Sequence, residues 1–294
     1  MYLVVGAGGF LGSYIIRETE KRNKKAVAAA RDASGHNDTG NTRWFPLDVT
    51  DKSSIERLKE FLDGEELCVF YLAACHNIDF VYENPDFAYN VNVTALESFL
   101  NSGLNIKKLF FASTDCVYGE NTAKIPAFFE TDEGKPVNAY GEQKAMAERV
   151  VLSHGFTVLR LPFMTGPSLI PDKKHFYDNI CNSLKNGQKV EMVDGLYRSA
   201  LSYGRAADII YRLSVRENLP DVINVCSDRG YTKYETGCII AKENGLDVSL
   251  ITSLTEKEGE KFFRDKRASS TVMDNTLLKK ILSEKEFLFE AQVI

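Results

Sequence analysis

The sequence predicts an α/β protein built on a doubly wound parallel sheet, with a smaller α/β lobe added to it. Two observations support this fold class. Short apolar strands alternate with helical segments through residues 1–165, and a glycine-rich turn joins the first strand to the first helix. Parallel strands need crossover connections, which helices usually supply, so the alternation is typical of a parallel sheet covered by helices on both faces.

The predicted strands are short apolar runs rich in β-branched residues, as expected where both faces of a strand are buried. They are Tyr2–Val5, Ala26–Ala30, Cys68–Ala73, Lys108–Ser113, Thr157–Leu161 and Val222–Val225, with one more short strand just before Leu47. Helical spacing of apolar residues predicts the helices between them, at Leu11–Lys21, Lys52–Phe61, Phe87–Asn101 and Tyr140–Ser153.

The alternation ends at Gly166-Pro167, because the stretch Ser168–Lys174 has few periodic apolar residues. We therefore expect a first domain over residues 1–165, completed by a return segment at about 200–225. The smaller lobe is expected over residues 166–199 and 226–294. Its C-terminal part, Tyr234–Leu288, is charged and is predicted to be helical.

The composition excludes several classes of protein. Apolar and charged fractions of 44% and 26% are ordinary for globular proteins, and the net charge of -5 leaves no basic stripe for a nucleic acid. No apolar stretch approaches the ~20 residues that span a bilayer, so we expect no membrane partner. The six cysteines and four histidines are scattered without metal-ligand spacing, which predicts no metal site and favours a cytoplasmic location.

The glycine-rich turn follows the first strand directly and opens a helix, with glycines in a GxxGxxG pattern. A pyrophosphate must approach the backbone N–H groups at a helix N-terminus, and a Cβ on the near glycines would hold it off. The turn therefore predicts dinucleotide binding by Gly6, Gly8, Gly9, Phe10, Leu11 and Gly12. The alternative is a structural turn, since ordinary turns also collect glycine.

The end of the second strand indicates which dinucleotide binds. The acid that would hold the ribose of NAD belongs about 20 residues after the glycines, and here that place is Ala30, followed by Arg31. A small residue leaves room for a 2′-phosphate, and a guanidinium offers a planar fork to its oxygens. NADP is therefore the expected cofactor. Two alternatives remain open, that Asp32 binds the ribose or that Arg31 is only a solvated surface charge.

A third cofactor contact is expected in the segment Leu47–Asp51. The Asp48 carboxylate, beside Val49, could accept a hydrogen bond from the exocyclic amine of adenine. The alternative for a carboxylate here is a helix cap, and Asp51 suits that role better because it directly precedes the second predicted helix.

Tyr140 and Lys144 place a phenol and an ammonium at positions i and i+4, which are neighbours on one face of a helix. Asn138 is a suitable N-cap for that helix. An ammonium about 4 Å from the phenol contributes on the order of 4 kcal/mol at an effective dielectric constant of about 20, which would lower the pKa of the phenol toward the range of general acid–base catalysis. Alone, such a pair is also found on ordinary helix surfaces.

The segment Phe110–Asp115 reads as a buried strand that ends in hydroxyl side chains. In open α/β folds this edge of the sheet is where ligands bind. A Thr114 hydroxyl there can donate a hydrogen bond to the oxygen of a carbonyl or alcohol while Tyr140 transfers the proton. We therefore predict a catalytic group of Thr114, Tyr140 and Lys144; the alternative is that Ser113 and Thr114 are ordinary strand-end residues.

In their order along the chain, six motifs resemble those of the extended short-chain dehydrogenases/reductases. They are GAGGFLG, LDVTD, LAA, NV, STDCVYG and NAYGEQK. Within that family, the runs NIDFVYENPDFAYNVNV and KRASSTVMD are most similar to dTDP-4-dehydrorhamnose reductases and related sugar-nucleotide reductases. The chain departs from the family pattern at Ala268, where a proline is usual, and at Arg205, where many members have an aspartate.

The resemblance implies roles for these residues. Thr114 would polarise the substrate oxygen, Tyr140 would donate or accept the proton, and Lys144 would hold the nicotinamide ribose. Leu72, Ala73 and Ala74 would line the cofactor channel. Asn92, beside the cofactor, would tie its own helix to the neighbouring strand. Asp115, Lys266 and Arg267 would contact the nucleotide sugar. The alternative for Lys266 and Arg267 is a solvated helix end.

The expected function is NADPH-dependent reduction of a keto-sugar nucleotide. Epimerisation of a sugar nucleotide is an alternative. Dehydration lacks half of its acid pair, because Asp115 is followed by Cys116. A non-catalytic, NADP-binding regulatory subunit is the third possibility; it would not need an intact Tyr140 and Lys144. A homodimer is left open.

Overall fold

The computed structural model describes residues 1–121 and 127–291, and within these ranges twelve strands form three sheets. The strands are β1 (Tyr2–Val5), β2 (Ala26–Ala30), β3 (Thr42–Pro46), β4 (Leu67–Tyr71), β5 (Ile106–Thr114), β6 (Thr157–Leu161), β7 (Phe163–Thr165), β8 (Val190–Val193), β9 (Arg198–Ser202), β10 (Val222–Asn224), β11 (Gly230–Tyr231) and β12 (Ile251–Leu254). The helices are α1 (Phe10–Lys21), α2 (Lys52–Leu62), α3 (Ile78–Glu83), α4 (Pro85–Tyr89), α5 (Ala95–Leu100), α6 (Ala139–Ser153), α7 (Phe176–Lys185), α8 (Tyr203–Ser214), α9 (Lys233–Glu243), α10 (Glu256–Gly259) and α11 (Thr276–Leu282).

The central sheet is parallel throughout and has the strand order β3-β2-β1-β4-β5-β6-β10. The strand order reverses at β1, whose Val5 pairs with Ala29 of β2 on one side and with Tyr71 of β4 on the other. This is the doubly wound, Rossmann-type topology. The predicted fold class is confirmed.

Helices cover both faces of this sheet, each over its own apolar layer. On one face α1, α8 and α11 pack through Ile15, Ile210 and Leu278. On the other face the apolar layer includes Leu58 of α2 and Val151 of α6. Successive side chains of a strand point to opposite faces, so β1 contributes Val4 to the first layer and Val5 to the second.

The smaller lobe contains two further sheets, β7-β9-β11 and β8-β12, packed with α7 and α9 over a separate apolar core. The chain returns to the central sheet later than the predicted residue 200, because β9 pairs with β7 and β11; the return is made by α8 and β10. The predicted domain limits themselves stay a prediction. Residues 122–126 of the first predicted domain and 292–294 of the second lie outside the described residues.

Two predicted helices differ from the structure. The helix expected over Phe87–Asn101 is divided into α4 and α5 by a π-helical turn at Asn90–Thr94, where the Asn92 side chain bonds the backbone of Cys75. The expected C-terminal helical region contains α9, α10 and α11 but also strand β12. In the described residues, no helix combines the length and the apolar character needed to cross a bilayer.

We expect the substitution Gly12→Ala to lower the free energy of unfolding by about 1–3 kcal/mol, because overpacking in a tight contact costs that much. A Cβ at this position would lie 2.7 Å from the Ala7 Cα, where α1 packs on the turn. Urea denaturation measures the change. Gly35→Ala is the matched control, since a Cβ there meets no atom within 4 Å. Equal stability of the two variants would contradict the close packing.

Candidate active site

Most of the sequence-predicted site residues lie at one edge of the central sheet. They end or follow β1 to β5 or belong to the first two turns of α1 and α6; Asn92 lies in the π-helical turn, and Lys266 and Arg267 lie in the segment before α11. The strand order reverses between β1 and β4, and in open α/β sheets the crevice at such a reversal is where ligands bind.

The glycine-rich turn has the form that a pyrophosphate requires. Gly6 has a φ of +95°, and a Cβ on it would lie 2.8 Å from the Ala73 backbone nitrogen, so the turn lies directly against the segment after β4. Helix α1 begins after Gly9 without a capping side chain. Its first N–H groups are therefore left for an anion, so the turn fits a dinucleotide.

At the end of β2, Arg31 lines a surface depression of about 400 Å³ together with Asp32, Ser34, His36 and Trp44. The Asp32 carboxylate accepts hydrogen bonds from the Ser34 backbone nitrogen at 3.0 Å and from its hydroxyl at 2.6 Å. Within residues 1–121 and 127–291, Arg31 forms no ion pair with a carboxylate. Its guanidinium is available to a ligand. One Asp32 oxygen is bonded to Ser34, and the other forms no hydrogen bond within the described residues.

The segment after β3 contains the two carboxylates for which the sequence predicts different roles, Asp48 as an adenine contact and Asp51 as a helix cap. Asp51 caps α2 by accepting from the Ser53 backbone nitrogen at 2.9 Å, which confirms the expected cap. Asp48 is exposed, and one of its oxygens accepts from the backbone nitrogen and the hydroxyl of Thr50. Val49 beside it is buried. The other Asp48 oxygen forms no hydrogen bond within the described residues, so the adenine contact stays a prediction.

The structure brings Thr114 and Tyr140 together at the end of β5. Asn138 caps α6 by accepting from the Gly141 backbone nitrogen at 2.9 Å, as expected, so Tyr140 lies in the first turn of that helix. Burial raises the pKa of Tyr140, and the nearby Thr114 side chain acts in the opposite direction.

Lys144 lies one turn further along α6 and is fully buried. Its Nζ donates to the Ala112 carbonyl at 2.5 Å and lies 3.8 Å from the centre of the Phe111 ring. Burial lowers the pKa of Lys144 to about 7, and Glu148 opposes that shift. The expectation that Lys144 lowers the pKa of Tyr140 is not met, because burial of the phenol outweighs any such effect.

A buried ion pair holds α6 against the sheet. The Glu148 carboxylate accepts from the Arg160 guanidinium of β6 at 2.8 Å and from the Ser113 hydroxyl of β5. Both charged side chains are almost completely buried. The pair fixes the rotation of α6 and with it the direction of Tyr140 and Lys144.

The expected cofactor channel lies beside the glycine turn, where Leu72, Ala73 and Ala74 are half-buried after β4. The Asn92 side chain is hydrogen-bonded to the backbone at the end of this segment. Its amide oxygen accepts from the Cys75 backbone nitrogen at 2.7 Å, and its amide nitrogen donates to the Cys75 carbonyl and to Gln143. These bonds tie the helical segment of Asn92 to the segment after β4, as the resemblance implied; a contact of Asn92 with the cofactor stays a prediction.

The predicted substrate contacts are already engaged with other residues. Asp115 is buried and accepts hydrogen bonds from the hydroxyls of Thr114 and Thr271. Arg267 donates to Asp79 at 2.9 Å, which argues against a solvated helix end. Lys266 is exposed, and its backbone carbonyl accepts from the Asn138 amide. A substrate would therefore have to share Asp115 and Arg267 with their present partners.

Sequence reasoning missed two cations that lie near Arg267. Arg198 of β9 lies 3.8 Å from an Asp115 oxygen, and Lys233 begins α9. The pKa of Lys233 is lowered, by desolvation first and also by the charges of Arg267 and Arg198. The only signal in the sequence is a charged residue at the start of the otherwise small and apolar strand β9. Across residues 1–121 and 127–291, no cluster of three metal-ligating side chains forms.

Comparison with known sequences gives one family and several kinds of relative. The model of the NAD dependent epimerase/dehydratase family matches residues 2–225. UDP-glucose 4-epimerase of Lactobacillus helveticus is 25% identical over 278 residues, which cover 84% of this chain and 82% of that protein. Methionine adenosyltransferase 2 subunit beta of Xenopus tropicalis is 23% identical over 272 residues, which cover 87% of this chain and 75% of that protein.

Solved structures share the fold over almost the whole chain. MoeE5 in complex with UDP-glucuronic acid and NAD has a TM-score of 0.79 at 23% identity and covers 98% of this chain and 94% of that one. A dTDP-4-dehydrorhamnose reductase of Clostridium acetobutylicum has a TM-score of 0.77 at 21% identity and covers 95% and 91%. At these identities the similarity establishes the fold.

The buried Lys144 leads to a prediction about stability without ligand. An unfolded lysine keeps its proton up to about pH 10.4, whereas the folded Lys144 releases it at about pH 7. Between these values the unfolded chain binds more protons, so the free energy of unfolding should rise with pH, by about 1.4 kcal/mol per pH unit from this group. Lys144→Met lacks that contribution. Urea denaturation from pH 7 to pH 9 should show the difference, and parallel profiles for the two proteins would contradict the buried ammonium.

Proposed function

The chain belongs to the NAD dependent epimerase/dehydratase family, as its motifs predicted, and on this premise we propose that it reduces a keto-sugar nucleotide with NADPH. The observation that supports the proposal is the placement of Thr114, at the end of β5, near Tyr140, in the first turn of α6, with Lys144 one helical turn away. These groups can bind the oxygen of a carbonyl and give it a proton.

The proton comes from Tyr140 in this reaction. Because the pKa of Tyr140 is raised, the phenol is protonated at neutral pH and serves as the acid. NADPH, when bound, supplies a hydride to the carbonyl carbon. As the oxygen becomes negative, the Thr114 hydroxyl turns from Asp115 to donate a hydrogen bond to it, and Tyr140 transfers its proton, which leaves an alcohol and a phenolate. The Lys144 ammonium stabilises that phenolate until solvent returns the proton.

The choice of NADPH rests on the end of β2. Arg31 lines the depression there without a carboxylate partner in the described part of the chain, and a guanidinium binds phosphate oxygens in a planar, bidentate manner. Asp32, which could instead bind the ribose of NAD, is hydrogen-bonded to Ser34 through one oxygen only. The unpaired Arg31 is therefore the feature that favours a cofactor with a 2′-phosphate.

The choice of a nucleotide sugar rests on the cations of the smaller lobe. Arg198 lies 3.8 Å from Asp115, the neighbour of Thr114, and the charges of Arg198 and Arg267 act on Lys233, so these cations could neutralise a diphosphate whose sugar reaches Tyr140. The relatives named for UDP-glucose and UDP-glucuronic acid support the same class of substrate.

Reduction is preferred to dehydration because of Cys116. Burial raises the pKa of its thiol to about 12, so the group stays neutral and cannot replace a carboxylic acid or carboxylate at neutral pH. Epimerisation is the second candidate function, because one of the relatives is an epimerase. A non-catalytic role is the third, because another relative is the subunit beta of methionine adenosyltransferase 2.

Tyr140→Phe should lower turnover of keto-sugar nucleotides by at least about a hundredfold, since proton transfer contributes that much, while the dissociation constant for NADPH changes little. Turnover is followed by NADPH absorbance and binding by calorimetry. Tyr82→Phe, at an exposed tyrosine, is the matched control. Full activity of Tyr140→Phe would move the chemistry elsewhere. Absence of turnover in the unmodified protein, with NADPH bound, would favour the non-catalytic role.

Arg31→Ala should weaken binding of NADPH by about tenfold or more and leave NADH nearly unchanged, because only NADPH has the 2′-phosphate. Calorimetry with both cofactors measures the two constants. Arg43→Ala serves as the control. It removes another exposed arginine, which belongs to the next strand, β3, and lies over the ring of Phe61. Equal losses for NADPH and NADH would remove the basis for choosing NADP.

A further inference from the structure

We propose that Lys173, on the segment between β7 and α7, binds the diphosphate of the dinucleotide and so joins the smaller lobe to the cofactor. The inference rests on the dinucleotide site of the proposed function and adds a residue from outside the first predicted domain. Its Nζ lies 3.3 Å from the Gly8 carbonyl and 5.3 Å from the centre of the Phe10 ring. Lys173 therefore lies directly over the glycine-rich turn.

The position of Lys173 faces the crevice. Burial is the main cause of a lowered pKa at His76, in the segment after β4, and the charge of Lys173 adds to it. Lys173 thus lies at the turn after β1, and its charge acts on His76 in the segment after β4. These are the two sides of the crevice at which the strand order reverses.

The segment that carries Lys173 is held at both ends. Near its start, the Tyr14 hydroxyl of α1 donates to the Pro167 carbonyl at 2.7 Å. At its other end, the His175 ring lies 4.6 Å from the Phe10 ring, measured between centres, and its Nδ1 lies 3.2 Å from the Tyr203 hydroxyl. The segment is therefore docked on α1 and the turn without any ligand.

A single carboxylate also connects the two ends of the segment. One oxygen of Asp178 accepts from the Ser168 backbone nitrogen at 3.1 Å, and the other accepts from the His175 backbone nitrogen at 3.0 Å. A loop closed in this way needs little further ordering when a ligand binds. Lys173 is consequently presented to the turn from a prearranged backbone.

The charge of Lys173 is not balanced by the protein. Within residues 1–121 and 127–291, no carboxylate lies within ion-pair distance of its Nζ, and its one recorded acceptor is the Gly8 carbonyl. An ammonium has three donors, so two are left for a ligand. The N-terminus of α1 attracts an anion to the same place. Both features suit a phosphate group that lies across the turn.

Two phosphates of NADPH could meet this ammonium, the diphosphate and the 2′-phosphate. The hydrogen bond to Gly8 places Lys173 at the turn, where the diphosphate belongs, whereas Arg31 is the cation beyond the end of β2. We therefore assign Lys173 to the diphosphate. Both NADH and NADPH have the diphosphate, but only NADPH has the 2′-phosphate. Comparing the binding of the two cofactors therefore shows which phosphate Lys173 contacts.

The test compares three variants by calorimetry with NADH and with NADPH. Lys173→Gln should weaken binding of both cofactors by the same factor, about tenfold, since it removes one charge-assisted contact. Lys173→Arg should stay within about threefold of the unmodified protein because it keeps the charge. Lys174→Gln, at the next exposed lysine, should bind both cofactors normally.

Each other outcome overturns the assignment. Unchanged binding in Lys173→Gln, together with a lower melting temperature of the ligand-free protein, would make Lys173 only a structural tie between lobes. A loss confined to NADPH would assign Lys173 to the 2′-phosphate. An equal loss in Lys174→Gln would indicate a general effect of charge. If the unmodified protein bound neither dinucleotide, the proposed function itself would fail, and this inference would fail with it.

Discussion

The buried pair of Glu148 and Arg160 is the interaction on which the geometry of the site depends. Removing one partner of such a pair leaves the other charge buried and unpaired, which costs about 3–5 kcal/mol. The pair therefore strongly fixes the orientation of α6 on the sheet. Glu148 is also bonded to Ser113, next to Thr114, and lies one turn beyond Lys144 on the same side of α6. The contact between Thr114 and Tyr140 follows from this arrangement.

The two lobes contribute different chemistry to one crevice. The central sheet supplies the glycine turn, Arg31 and the proton donor Tyr140, all at the carboxyl ends of its strands. The smaller lobe supplies cations, with Arg198 near Asp115 and Lys173 over Gly8. Under the proposed function, a dinucleotide and a nucleotide sugar would each contact both lobes, so each ligand would stabilise the docking of one lobe on the other.

The sequence was sufficient to predict the central sheet and the glycine turn, because strands buried on both faces are continuous apolar runs and the turn needs glycine at fixed positions. It was not sufficient for the smaller lobe, whose strands are as short as the two residues of β11. Lys173 could not have been placed either, since it is 165 residues from Gly8 along the chain. The raised pKa of Tyr140 depends on burial that the spacing to Lys144 does not reveal.

The central claim, net reduction of a carbonyl, is tested most directly by following the hydride. NADPH deuterated at the transferred position of nicotinamide C4 is supplied with a panel of keto-sugar nucleotides, and both the absorbance and the product mass are recorded. The account predicts loss of one NADPH for each alcohol formed and one deuterium in that alcohol. Conversion of a sugar nucleotide with no net oxidation of the cofactor would contradict it and establish an epimerase, which returns the hydride it removes.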